Sequence, residues 1–130
     1  MPLLNKGWVR HFLLIVLIVY WLAEFISTHI PQEKVPSLGT SDTVCHCEAF
    51  FILSSLFWLT LTSRCAPMLK KLIVIITILP IYAALDELTQ PIVNRHASIS
   101  DWLADVVGVV LAMAVCEIIA AIIRRLRRAQ

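Results

Sequence analysis

The chain has 130 residues, one domain's worth, and 59% of them are hydrophobic while only 15% are charged. Such a composition would expose large apolar patches to water, so it excludes an ordinary soluble globular domain and makes a bilayer the natural solvent. Eleven basic against nine acidic residues leave a net charge of +2, too small for a nucleic-acid footprint, and no nucleic-acid partner is expected.

Crossing roughly 30 Å of hydrocarbon takes about 20 mostly apolar residues, and four stretches meet that requirement. The first covers about 8–26 and is built on "FLLIVLIVYWLAEFI". It is too long for a secretory signal, lacks a small-residue cleavage site and continues into "YWLAEFIS", so it is expected to stay as a span with no soluble domain before or after the bundle. A loop with two prolines and a glycine, 27–42, leads to the second span at about 44–62. A short turn, "SRCAPMLKK", joins it to the third at about 72–88, where Pro80 removes a backbone donor and predicts a kink. The fourth runs over about 102–123 and ends in "RRLRR", which suits anionic lipid.

Nine of the eleven basic residues fall on one side of these spans: Lys6, Arg10, Arg64, Lys70, Lys71, Arg124, Arg125, Arg127 and Arg128. Only Lys34 and Arg95 fall on the other. The positive-inside rule therefore predicts an all-α, polytopic protein of the cytoplasmic membrane, a compact bundle of four transmembrane helices with both termini cytoplasmic. The polar connection "DELTQPIVNRHASISD" (86–101) then faces outward.

Helical spacing aims much of that polarity inward. Tyr82, Asp86 and Gln90 are four apart on one face, with Glu87 about 100° away. Asp101, Asp105, Gly108 and Ala112 form a stripe in the fourth span, acidic above and small enough below for another helix to approach. Asp42 and His46 share a face of the second span, Glu24 lies near the outer end of the first, and Arg95 and His96 can close over the group. Ionisable groups at this depth cost roughly 2.5–3.5 kcal/mol each on insertion scales and usually face a cavity or a partner.

Architectural roles compete for the same residues. Ser98 and Asp101 fit a capping box, Asp42 could cap the second span, and Arg95 could neutralise Asp86, Glu87 or Asp101. His46 could be a packing histidine, and Glu117, at the far end, should pair with a nearby Arg or Lys. Cys45, His46 and Cys47 point about 100° apart in succession on a helix, which suits neither one metal ion nor a disulfide. With Cys65 and Cys116 toward the other membrane side, the cysteines read as apolar packers. No metal and no cofactor is expected.

"DELTQPIVNRHASISDWLADVVGVVLA" resembles the signature of the VanZ-like membrane family: acidic Asp86/Glu87, then Gln90, Arg95, the Ala97–Ser98 turn, Asp101 and Gly108. "DTVCHCEAFF" is similar to the family's earlier motif at Asp42, His46 and Phe50, so the resemblance covers about 42–112. Thr43 stands where the family often has lysine, Phe50 where it often has tyrosine, "VNRH" replaces Pro-Gly before the arginine, and Asp105 stands where asparagine is usual, making this site more acidic. The resemblance implies one four-span VanZ-like domain over 1–130, a place in cell-envelope biology, and a link to glycopeptide resistance through the family's name-giving member.

Three functions fit this pattern. In the first, Asp42, His46, Asp86, Glu87, Gln90, Arg95 and Asp101 bind the headgroup of a lipid-linked cell-wall precursor or a lipoglycopeptide, with Arg95 forking onto an anionic group and membrane lipids as the surrounding partners. In the second, an intramembrane hydrolase or transferase uses His46 as general base oriented by Asp42, with Glu87 as acid. In the third, the network is a polar latch. The sequence carries no signal for an oligomeric state.

Overall fold

The computed structural model describes residues 6–31 and 41–129. Lys34 and most of the predicted 27–42 loop lie outside the described residues. Four helices, α1 (Gly7–Thr28), α2 (Asp42–Ser63), α3 (Met68–Thr89) and α4 (Ile99–Arg128), make up the fold, with a 3-10 turn (Gln90–Val93) extending α3. Each is long and apolar enough to cross a membrane, the pattern of a multi-pass membrane protein, and the described residues contain no strand.

Helix α3 begins at Met68, ahead of the expected 72, because Pro67 already occupies the N-cap with extended geometry. It continues through Pro80 to Thr89, and the Pro80 carbonyl accepts the Trp102 indole N–H at 3.1 Å. Helix α4 passes the expected end near 123 and runs to Arg128, since Leu126 and the arginines are good helix formers and Arg125, Arg127 and Arg128 suit the negative end of the helix dipole.

Helix α2 is the hub, packing most extensively on α4 and also on α1 and α3. Its contact with α4 is close because Gly108 has no side chain. A Cβ there would run into the Cys47 carbonyl oxygen and come within 3.0 Å of the Phe51 amide nitrogen. Ala112, one turn further, is buried in the same seam. Phe50, Leu53, Ile75, Leu79, Ala83 and Val109 fill the centre. Ile73, Ile76, Leu85 and Leu111 remain exposed on the outside, as residues facing lipid do. Tyr82 stacks on Phe50 at 5.7 Å and meets Trp21 edge-on at 5.1 Å, an aromatic floor beneath the polar end.

Two turns reverse the chain by one device. After α2, Cys65 adopts φ 58°, while its N–H bonds to Thr62 O and that of Ala66 to Leu61 O. After the 3-10 turn, Asn94 adopts φ 61°, with Asn94 N–H on Pro91 O and Arg95 N–H on Gln90 O. Asparagine tolerates this left-handed region, and the turn directs Arg95 back over the bundle. At the other end, Lys71 bonds to Glu117 at 2.9 Å and lies 4.1 Å over the Trp58 ring, Trp58 donates to Glu117 at 2.8 Å, and Arg124 approaches it at 3.6 Å. Glu117 thus pairs as its sequence position suggested.

Gly108→Ala is expected to push α2 and α4 apart and cost about 1–3 kcal/mol, the usual range for overpacking. The readout is a lower melting temperature in mild detergent. An unchanged melting temperature would mean that this contact does not set the spacing.

Candidate functional site

The Arg95 end of the bundle gathers polar side chains from all four helices. Its organising member is Arg95 itself, buried although it sits in a loop. One terminal nitrogen, Nη1, donates to the carbonyls of Thr28 at 3.2 Å and Ser27 at 3.4 Å at the end of α1, the second of which also accepts the Ile30 N–H. The other, Nη2, forks onto both oxygens of Asp42, at 3.0 and 3.3 Å. A cation therefore sits at the negative end of one helix dipole while its carboxylate partner sits at the positive end of the next.

This pairing differs from the expectation that Arg95 neutralises Asp86, Glu87 or Asp101, and the reason is that each of those three has other donors. Asp86 accepts from the Thr28 hydroxyl at 2.9 Å and from Gln90 at 3.2 Å. Glu87 accepts from Gln90 at 3.2 Å and, at 2.7 Å, from the backbone N–H of Ser98. Asp101 accepts from the Thr43 hydroxyl at 2.6 Å. The capping box is consequently half made. Ser98 caps α4 by accepting from Asp101 N–H at 3.3 Å, but Glu87, not Asp101, takes the Ser98 amide. Likewise Ser41 caps α2, accepting from Val44 N–H at 3.3 Å, which frees Asp42, the first helical residue, for Arg95.

Deeper in, His46 Nδ1 lies 3.1 Å from Asp105 Oδ1 and 3.9 Å from Glu87 Oε1. Asp105, not Asp42, is therefore the carboxylate that orients the imidazole. If Nδ1 carries the proton, Nε2 keeps its lone pair. Asp105 is 0% exposed, and Tyr82 donates its hydroxyl to Glu24. The carboxylate oxygens Asp105 Oδ2 and Glu24 Oε1 are buried with no hydrogen-bond partner among the described residues. His96, expected to help close the site, is exposed in the loop.

Sequence spacing had not assigned roles to Thr28, His29 and Thr43. Thr28 follows Glu24 by four residues, so a shared helical face was a readable signal. His29 accompanies it, with Nε2 3.0 Å from the Thr89 hydroxyl and Nδ1 3.6 Å from Asp86.

Six carboxylates, of Glu24, Asp42, Asp86, Glu87, Asp101 and Asp105, face one guanidinium and two imidazoles here. The excess is strongly acidic, so the site suits hydroxyl and amine donors or cations, while Nη1 and Nη2 of Arg95 are already occupied. Donor atoms of His46, Glu87 and Asp105 lie within 4.8 Å of one another, as do those of Asp42, His46 and Asp101. Cys45 and Cys47 belong to neither group. No family model, curated protein or solved structure matches this chain.

Arg95→Ala is expected to destabilise the protein by about 1–3 kcal/mol, by leaving helix-end carbonyls and a carboxylate unpaired. Asp42→Asn should cost less, because Asp42 is 54% exposed and water can replace its partner. Thermal unfolding of both variants checks the order, and equal losses would contradict the assignment.

Proposed function

We propose that this chain is a VanZ-like protein of the cytoplasmic membrane, with both termini inside, that binds a lipid-linked cell-envelope molecule from within the bilayer. The observation carrying this reading is a groove between α3 and α4. A shallow cavity of about 510 Å³ runs past Ile76, Thr77, Pro80, Ile81, Ala84 and Trp102. A second, of about 260 Å³, shares Ala84 and Trp102 and reaches Leu88, Ser98, Ile99 and Glu87. The groove is apolar along its length and ends on a carboxylate of the buried network. A hydrocarbon chain fits the first part, and a headgroup offering hydroxyl or amine hydrogens fits the second, as expected of sites that place a few polar groups in an apolar cleft. A cell-wall lipid precursor and a lipoglycopeptide both have that form, which is the support for a role in glycopeptide resistance.

The acidic balance shifts the expected contact from Arg95 to Glu87. Arg95 holds the site's walls together, so the architectural role and the binding role coexist. Meeting of the two motif halves, Asp42 and His46 with Asp86, Glu87, Gln90 and Asp101, supports the family reading. The enzymatic alternative has one supporting observation, the His46–Asp105 pair, which is how a general base is oriented. Turnover of a lipid-linked phosphate or ester that disappears in His46→Ala would establish it.

Ala84→Phe fills the groove without touching the polar network. Native mass spectrometry should find lipid on the wild-type protein and about tenfold less on the variant, the effect of about 1.4 kcal/mol. Equal lipid occupancy on a folded variant overturns the groove.

A further inference from the structure

We propose that His46, Glu87 and Asp105 form a divalent metal site, occupied by Zn2+ or Mn2+, at the centre of the bundle. The three come from α2, α3 and α4, and all are buried. Their facing atoms are separated by 3.1 Å (His46–Asp105) and 3.9 Å (His46–Glu87). Donors about 2.0–2.2 Å from a tetrahedral ion lie roughly 3.3 Å apart, so both His46 separations are already near that value, and all three donor atoms fall within 4.8 Å of one another.

Two further observations point to a cation rather than to a merely polar core. Asp105 is fully buried, yet its Oδ2 has no hydrogen-bond partner among the described residues. Glu24, 5% exposed on the remaining helix, leaves Oε1 in the same condition and is within electrostatic reach of Asp86, Asp105 and His46. A buried carboxylate oxygen without a donor loses hydration for nothing, whereas an ion recovers that cost for several carboxylates at once. Arg95 does not serve this purpose, because its terminal nitrogens bond to Asp42 and the end of α1. One imidazole with two carboxylates suits Zn2+ best and is open to Mn2+, which tolerates a nitrogen among oxygen ligands, whereas Mg2+ and Ca2+ prefer oxygen alone. Three protein donors leave a coordination position open to an outside oxygen. Here the donors are 41 and 59 positions from His46 along the chain and meet only in the folded bundle.

The test uses the full chain in mild detergent, stripped with chelator and then titrated with Zn2+ or Mn2+ alone. About one ion per folded chain is expected. Glu87→Gln and Asp105→Asn, which keep side-chain volume, should each weaken uptake more than about a hundredfold, because outer-shell partners alone are worth 10–100-fold. Co2+ supplies a readout on unmutated protein, since visible absorption of a four-coordinate nitrogen–oxygen site should appear on loading. No uptake by folded wild-type protein, unchanged uptake by a folded variant, or a Co2+ spectrum like that of the hydrated ion would overturn the site. The site shares Glu87 with the headgroup end of the lipid groove, but Ala84 is no ligand: Ala84→Phe should bind metal as wild type does and Asp105→Asn should keep its lipid, so loss of lipid and loss of metal separate the two readings.

Discussion

One guanidinium closes this bundle. Arg95 lies at the junction of the last carbonyls of α1, the first residue of α2 and the loop that opens α4, and it bonds across all three. No apolar contact could do this, since helix ends present unpaired backbone groups that water or a donor must satisfy. A lysine would supply charge but not a planar fork reaching a carbonyl pair and a carboxylate together. The left-handed Asn94 is what delivers the fork. The loop's geometry and the loop's charge thus form one device.

Below that brace, the helices are organised around a conflict. Carboxylates are expensive at membrane depth, yet α1, α3 and α4 each bury at least one in the same interior. Neutral donors ease part of the cost: Thr28, Thr43, Gln90, Tyr82 and the Ser98 amide each give a hydrogen bond to an acidic group. The aromatic floor of Phe50, Tyr82 and Trp21 separates this end from the apolar centre, and the Lys71–Glu117–Trp58 cluster pairs its charges compactly at the other end. The two ends differ in kind. One is a balanced ion pair, while the other carries an anionic excess.

Four apolar helices were legible in the sequence because hydropathy is a local property that needs no knowledge of neighbours. Glu117 pairing with a nearby cation was similarly readable from proximity along one helix end. The partners at the Arg95 end were not, because helical spacing says which residues share a face but not which face meets which helix. Asp42, His46 and Asp101 could be placed near one another. That Asp105 would take His46 while Arg95 took Asp42 depends on how deeply α2 and α4 approach, which Gly108 decides through a carbonyl contact invisible to hydropathy. Capping followed the same rule: Ser98 was readable from its position before an apolar run, whereas Glu87 claiming the Ser98 amide is a tertiary event.

The long reach of these pairs bears on how the protein is made. Glu24, Asp42 and His46 all belong to the first two helices, and each pairs with a residue from α3 onward: Tyr82 at a separation of 58, Arg95 at 53 and Asp105 at 59 positions. A chain emerging from the ribosome amino end first therefore delivers its acidic groups to the membrane well before their complements exist. The first two helices reach the membrane with these groups unpaired, and only docking of the later chain supplies their partners.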